Sequence, residues 1–139
     1  MNELNPLNDL NELNPLNRRV VFLDRDGVIN ESPPDATLRS SSLRSTSGGW
    51  VLRWEELHFA PGALEALRRL HEHGFAVVVI TNQSCIGRGL ITLADAEAIN
   101  RRMADAVAAA GGRIAGVYLC PHSPDAECAC RKPKPGLID

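Results

Sequence analysis

The 139-residue chain has little excess charge and no long apolar run. Its formal net charge is -2 and its pI is near 6.1, so the chain as a whole exerts no long-range attraction on nucleic acid or on an anionic membrane. No run approaches the roughly 20 apolar residues that span a bilayer, and the N-terminus lacks the basic and apolar regions of a secretory signal. We therefore expect a cytoplasmic protein with no nucleic-acid or membrane partner, in which any anion is bound by a local cluster.

Cysteine is also scarce, at four residues, and three of the four are close together. Cys120, Cys128 and Cys130 accompany His122, which in a reducing compartment predicts a metal site instead of a disulfide framework. Three thiolates and one imidazole complete a tetrahedral zinc shell without a place for water, so the zinc would be structural. A nucleic-acid-binding zinc ribbon is the rival, but that class usually has two C-x-x-C pairs. Cys85 stands apart and is interpreted as a small packing residue.

Composition divides the chain into segments. Residues 1–18 carry an N-x-L repeat whose period of three fits neither a helix nor a strand, which predicts a disordered or irregular leader, with a docking peptide as the alternative. Residues 19–139 form one domain. Within it, residues 31–53 are rich in Ser, Pro and Gly and predict a loop or flexible insert, and residues 120–130 form the zinc loop.

Apolar segments and amphipathic segments alternate along the domain. The strands are predicted at 20–24, 76–81 and 116–120, and the helices at 61–73 and 93–110. The first strand reads as a buried parallel strand because it is short, apolar and rich in β-branched residues. This order predicts an α/β fold, a Rossmann-like parallel sheet with flanking helices. The site of such a sheet lies at the carboxyl ends of its strands, here Asp24, Thr81 and Cys120.

Two carboxylates, Asp24 and Asp26, follow the first strand. One can attack phosphorus and form an acyl phosphate, while the other protonates the leaving oxygen and later activates water. A calcium loop is the competing interpretation. The EF-hand pattern places glycine at its sixth position between helices, whereas Gly27 is at the fourth position after a strand.

The other two strand ends carry groups suited to phosphate. Thr81 can donate to a phosphoryl oxygen, and the N–H groups of the loop that follows can form an anion-binding concavity, although a polar loop explains the pattern nearly as well. Arg131 and Lys132 come directly after the zinc loop. A lysine held near two aspartates would neutralise charge on phosphate and carboxylate together.

Three motifs, FLDRDGVIN, VITNQSCIGRG and CPHSPDAECACRKPKPG, occur in this order. Together they resemble the haloacid dehalogenase-like phosphohydrolases, in the branch of D-glycero-D-manno-heptose 1,7-bisphosphate phosphatase and histidinol phosphatase. The resemblance covers residues 19–139 apart from the insert. It implies a magnesium-dependent phosphatase that hydrolyses a small sugar phosphate through an aspartyl-phosphate, and a monomer if the chain is complete.

The resemblance also implies a role for each matching residue. Asp24 is the nucleophile and a magnesium ligand, Asp26 is the acid/base whose carbonyl binds magnesium, and Lys132 orients nucleophile and phosphoryl group. Thr81, Asn82 and Arg131 bind substrate. The zinc ligands are Cys120, His122, Cys128 and Cys130.

The chain departs from the family pattern at three places. Cys85 stands where the family usually has glycine, and the insert 31–53 is longer and richer in serine. The family also continues beyond the position of Asp139 through a helix and a strand that ends in an acidic magnesium ligand. We therefore expect a truncated sheet that is incomplete at the C-terminus and leaves residues 20–24 with an unpaired, aggregation-prone edge.

Two other functions compete with the sugar phosphatase. The first is a catalytically impaired, truncated relative that serves as a zinc-stabilised binding or structural module. The second is a polynucleotide 3′-phosphatase, which shares the first two motifs in kind. A polynucleotide enzyme should carry more positive charge than this chain and has no evident need for the zinc loop.

Overall fold

The structure is a computed structural model that describes residues 19–32 and 49–139. The predicted leader 1–18 and most of the predicted insert, residues 33–48, lie outside the described residues. The main elements in chain order are β1 (Arg19–Leu23), α1 (Ala63–Glu72), β2 (Phe75–Asn82), α2 (Ser84–Gly87), α3 (Leu93–Ala109) and β3 (Gly116–Cys120). Within the described ranges, no helix is long and apolar enough to cross a bilayer.

The described strands form one three-stranded sheet in the order β1-β2-β3, and both pairs are parallel. Leu23 is in register with Val79, which in turn is in register with Val117. The carboxyl ends of all three strands therefore lie along one end of the sheet. This confirms the predicted parallel α/β arrangement and brings the polar segments after the strands together.

Helices α1 and α3 cover the sheet and enclose the core. Leu67 of α1 and Met103 of α3 are buried against Val77 and Val79 of β2. Each such side chain contributes roughly 1.5–3 kcal/mol by leaving water. This packing fixes the sheet on which the polar loops stand.

The helix ends follow the predicted signals closely. The Thr92 side chain caps α3 by accepting a hydrogen bond from the Asp95 N–H at 3.1 Å, and Gly111 follows the helix with φ 90°. Helix α1 begins two residues later than predicted because Gly62, at φ 77°, takes the N-cap position after Pro61. The predicted helices at 61–73 and 93–110 are thus confirmed with small shifts at their ends.

The prediction that the first strand is buried was wrong. Val20 and Phe22 of β1 are 37% and 50% exposed, while Leu23 packs against the core. Val20 and Phe22 are two residues apart and so share one face of the sheet, opposite to the face on which Leu23 packs. An apolar run alone does not reveal whether one or both faces of a strand are covered.

Candidate active site

The turn after β1 presents the two aspartates. The N–H groups of residues 28–30 all donate to the Arg25 carbonyl at 2.9–3.2 Å, which folds the chain back directly after the strand. Gly27 makes this possible, since its φ is 83° and a Cβ there would lie 3.0 Å from Ser32 Oγ. Asp24 and Asp26 are thereby held two residues apart in a tight turn at the carboxyl end of the sheet.

Lys132 forms an ion pair with the first aspartate. Its Nζ lies 3.0 Å from Oδ2 of Asp24, and the two side chains are 25% and 43% exposed. Oδ1 of Asp24 accepts the Arg25 N–H at 2.8 Å. A carboxylate and a cation are therefore in contact at the carboxyl end of the sheet, and both are exposed enough for a phosphate to reach them.

Asn82, at the end of β2, holds the main chain of Lys132. Its Oδ1 accepts the Lys132 N–H at 3.0 Å, and its Nδ2 donates to the Lys132 carbonyl at 3.3 Å. The resemblance predicted Asn82 beside the substrate phosphate. In the structure, both the oxygen and the nitrogen of its amide bind the Lys132 main chain, which helps to hold the lysine next to Asp24.

Asp26 belongs to a polar network that includes a buried arginine. Arg25, 1% exposed, donates from Nε to Asp26 Oδ1 at 3.1 Å and from Nη2 to Oδ2 at 3.3 Å. Asn30 Nδ2 also donates to Oδ1, at 2.9 Å. A buried guanidinium needs such partners because an unpaired charge inside a protein is costly.

Two amides extend this network across the core. Arg25 Nη2 donates to Gln83 Oε1 at 3.1 Å, and Nη1 donates to Asn100 Oδ1 on α3 at 2.9 Å. Gln83 Nε2 in turn donates to Thr81 Oγ1 at 2.8 Å, and the Thr81 side chain is buried. The motif spacing did not point to Arg25, Gln83 or Asn100. The available signal was Asn100 on the otherwise apolar face of α3.

Arg131 lies beside Lys132 and is partly buried. Its Nη1 is buried and has no hydrogen-bond partner within the part of the chain that the structure describes. Buried guanidinium nitrogens usually find an acceptor. This arginine can therefore take an additional acceptor of the kind that a phosphate provides.

The predicted zinc ligands converge at the end of β3. One ligand atom from each of Cys120, His122, Cys128 and Cys130 lies within 4.8 Å of the others. The Sγ atoms of Cys120 and Cys130 are 3.2 Å apart, and those of Cys120 and Cys128 are 3.5 Å apart. Tetrahedral coordination with metal–sulfur bonds of about 2.3 Å requires edges of about 3.8 Å, so the four atoms fit around one ion.

The clustered thiols differ in acidity. Burial and a hydrogen bond with Cys130 raise the pKa of Cys120 to about 12. Burial also acts to raise the pKa of Cys128, but hydrogen bonds with Cys120 and the Arg131 N–H outweigh it and lower that pKa to about 6. A metal cation would favour the thiolate form of all three. Cys85 lies outside this group and is buried as expected, with its pKa raised by that burial.

The segment that contains the predicted zinc ligands also supports the loop after β2. The Gln83 N–H donates to the Cys120 carbonyl at 2.8 Å, and the Gly87 N–H donates to the Pro121 carbonyl at 2.7 Å. A Cβ at Gly87 would lie 2.8 Å from both Pro121 O and Ser123 N. Helix α2, which the sequence did not predict, is therefore packed closely on the Cys/His cluster.

The sequence model of one protein family, described as polynucleotide kinase 3 phosphatase, matches residues 35–139. The chain belongs to the polynucleotide kinase 3 phosphatase family. This assignment confirms the resemblance to haloacid dehalogenase-like phosphohydrolases that the three motifs indicated.

This polynucleotide kinase 3 phosphatase family member is similar to curated heptose bisphosphate phosphatases. It is 41% identical to the D-glycero-beta-D-manno-heptose-1,7-bisphosphate 7-phosphatase of Pseudomonas aeruginosa over 88% of this chain and 61% of the relative. It is 38% identical to the D-glycero-alpha-D-manno-heptose-1,7-bisphosphate 7-phosphatase of Mycobacterium tuberculosis over 85% of this chain and 55% of the relative. The chain thus spans a little over half the length of these relatives.

A solved structure agrees with the sequence relatives. The D,D-heptose 1,7-bisphosphate phosphatase of Bordetella bronchiseptica, crystallised with magnesium and phosphate, superposes with a TM-score of 0.70 at 38% identity. The match covers 86% of this chain and 59% of that structure. The family member described here therefore shares the haloacid dehalogenase-like fold over most of its length.

Proposed function

We propose that this chain carries the catalytic groups of a phosphomonoester hydrolase that acts on a small sugar phosphate resembling heptose 1,7-bisphosphate. The single observation that carries the proposal is the contact between Lys132 Nζ and Asp24 Oδ2 at 3.0 Å, with Asp26 in the same turn. A nucleophile, an acid/base and a cation are the groups that phosphoryl transfer to a carboxylate needs. The names of the curated relatives support the class of substrate.

The chemistry proceeds in two displacements. An Asp24 carboxylate oxygen attacks phosphorus, the bond to the sugar oxygen breaks, and Asp26 gives its proton to that oxygen. Water then attacks the aspartyl-phosphate, Asp26 takes the proton from the water, and the bond between Asp24 and phosphorus breaks to release inorganic phosphate. Lys132 balances the charge on Asp24 and the phosphoryl oxygens, and Thr81 and Arg131 bind those oxygens.

Magnesium fits the same turn. Asp24 is 43% exposed and offers a carboxylate, and the main-chain carbonyl of Asp26 adds a second oxygen of the hard type that magnesium prefers. When bound, the ion supplies charge neutralisation for the phosphate. The relative from Bordetella bronchiseptica was crystallised with magnesium and phosphate, which supports this choice.

Zinc is the ion we assign to Cys120, His122, Cys128 and Cys130. Three sulfur donors and one imidazole favour zinc over magnesium, and four protein ligands leave no coordination position for substrate. Lys132 follows the last ligand by two residues and faces Asp24. The ion would therefore be structural and would hold Lys132 and the loop around α2 in place.

A panel of three phosphate esters tests the proposed function. With magnesium, we expect kcat/KM for heptose 1,7-bisphosphate to exceed the values for histidinol phosphate and for a 3′-phosphorylated oligonucleotide by at least about tenfold. Phosphate release is measured for each ester, with and without a chelator that removes magnesium. Preference for the oligonucleotide would contradict the sugar-phosphate assignment, and release that persists without divalent metal would contradict the role of magnesium.

A further inference from the structure

The buried network around Arg25 connects three elements of the fold: the turn after β1, the end of β2 and helix α3. Arg25, Gln83 and Asn100 are 1%, 2% and 0% exposed. The arginine comes from the turn after β1, the glutamine follows β2, and the asparagine lies on α3. The network ends on Asp26 and on Thr81, two of the groups to which the proposed function gives a chemical role.

The donor character of arginine fixes the orientation of Gln83. A guanidinium only donates hydrogen bonds, so the atom of Gln83 at 3.1 Å from Arg25 Nη2 must be the carbonyl oxygen. The amide nitrogen then donates to Thr81 Oγ1 at 2.8 Å and, over a longer distance, to Asp26 Oδ2 at 3.4 Å. Since Thr81 Oγ1 already accepts a hydrogen bond, the Thr81 hydroxyl proton is free to point to a different acceptor, such as a phosphoryl oxygen.

The same guanidinium fixes the carboxylate of Asp26. Its Nε donates to Oδ1 and its Nη2 donates to Oδ2, so both carboxylate oxygens are held by one rigid planar group. Paired contacts of this kind define the plane of a carboxylate, which a lysine ammonium cannot do. The orientation of the side chain that transfers the proton therefore depends on Arg25.

Stability alone does not account for this arginine. A buried ion pair can often be replaced by apolar residues without loss of stability, because removing two charges from water is costly. Here the buried charge is instead placed where it contacts Asp26 and, through Gln83, sets the direction of the Thr81 hydroxyl.

We propose that Arg25 is a positioning residue that orients Asp26 for proton transfer to the leaving oxygen and, through Gln83, orients Thr81 as a donor to the phosphoryl group. This inference rests on the proposed phosphatase function. Arg25 is 1% exposed and is given no contact with the substrate, whereas Asp26 and Thr81 are given one. It acts through these two residues.

Dependence on the leaving group tests the effect on Asp26. The alkyl ester heptose 1,7-bisphosphate needs a proton on its leaving oxygen, whereas 2,4-dinitrophenyl phosphate does not, and kcat/KM reports the first displacement for both. We expect Arg25→Lys to lower kcat/KM about 100-fold for the alkyl ester and less than about tenfold for the aryl ester, because general acid catalysis contributes about 10²–10⁴-fold. An equal loss on both esters would overturn the inference.

A second variant tests whether Gln83 orients Thr81. Its result does not depend on whether the Arg25→Lys variant folds. Gln83→Met removes the hydrogen bonds to Arg25 and Thr81 and a longer one from Gln83 Nε2 to Asp26 Oδ2 at 3.4 Å, but leaves the Arg25–Asp26 ion pair in place. We expect inhibition by inorganic phosphate to weaken by about tenfold, the effect of losing one oriented hydrogen bond. The ratio of alkyl to aryl kcat/KM should change by less than about twofold, because Arg25 and Asn30 still hold Asp26 at 3.1 and 2.9 Å. An unchanged inhibition constant would overturn the part of the inference that concerns Thr81.

The results distinguish an error in the proposed phosphatase function from an error in the role of Arg25. A wild-type chain that hydrolyses neither ester contradicts the proposed function and, with it, the role of Arg25. A wild-type chain that hydrolyses both, with variants that lose the same factor on each, contradicts only the role of Arg25. Thermal unfolding of each variant beside the wild type shows whether the lost activity follows a lost fold.

Discussion

Asp24→Asn is expected to lower kcat for phosphate release by about 10⁴-fold or more. An amide is a poor nucleophile, so the variant cannot form the aspartyl-phosphate, and removing a nucleophile from a covalent mechanism costs several orders of magnitude. The substitution also removes the charge that pairs with Lys132 Nζ at 3.0 Å. The measurement is steady-state release of phosphate from heptose 1,7-bisphosphate in the presence of magnesium.

Asp105→Asn is a matched control for this variant. Asp105 lies on the exposed face of α3, outside the residues assigned to the site, so the same chemical change there should leave kcat within about twofold of wild type. If Asp24→Asn kept a tenth or more of the wild-type kcat, Asp24 would not be the nucleophile. The proposed two-step mechanism would then be wrong.

Loss of one residue of the proposed zinc site is expected to have the largest effect on stability. Structural zinc sites contribute on the order of 10 kcal/mol in small metal-dependent domains, and each kcal/mol corresponds to roughly 2–8 °C in Tm for domains of this size range. We expect Cys128→Ser to lower Tm by at least about 10 °C and to lower the bound zinc per chain. Activity should fall as well, because the Cys/His cluster supports α2 and the segment that carries Lys132.

Cys85→Ser is the matched control. Cys85 is buried but lies outside the Cys/His cluster, so the variant should lose some stability through its buried hydroxyl and keep its zinc. Zinc content is measured by elemental analysis after purification without chelator, and Tm is measured by thermal unfolding. Wild-type protein without zinc, or Cys128→Ser with the wild-type Tm and zinc content, would contradict the structural metal site.

The sheet and the main helices could be predicted from local sequence. Helix α3 has an apolar face at helical spacing and a Thr92 cap that bonds the Asp95 N–H, so its signal is complete within the helix. The strand ends were equally clear, because each polar motif directly follows an apolar run. Lys132 is expected near the aspartates because it follows the predicted zinc loop at the third strand end, and the family resemblance then assigns it to the nucleophile.

The buried network could not be predicted in the same way. Arg25 is adjacent to Asp26 in sequence, but its burial depends on Gln83 and Asn100, which are 58 and 75 residues away. Local pattern carries no information on such partners. The exposure of Phe22 escaped prediction for a related reason, since it depends on what covers the other face of β1.

The role of Asn82 shows a further limit of motif matching. The resemblance predicts that this residue lies near the phosphate, and the structure places it at the end of β2. The two hydrogen bonds to the main chain of Lys132 show that its amide serves the lysine. A motif identifies which residues belong to a site, whereas the contacts show which residue acts through another.

Trapping the covalent intermediate tests the two-step mechanism most directly. Wild-type protein is mixed with heptose 1,7-bisphosphate and magnesium, quenched in acid during turnover, digested and analysed by mass spectrometry. The two-step mechanism predicts one phosphoryl group on the wild-type peptide that contains Asp24 and none on the corresponding peptide of Asp24→Asn. Turnover by the wild type with no phosphorylated Asp24 peptide, or with the phosphoryl group on a different residue, would contradict it.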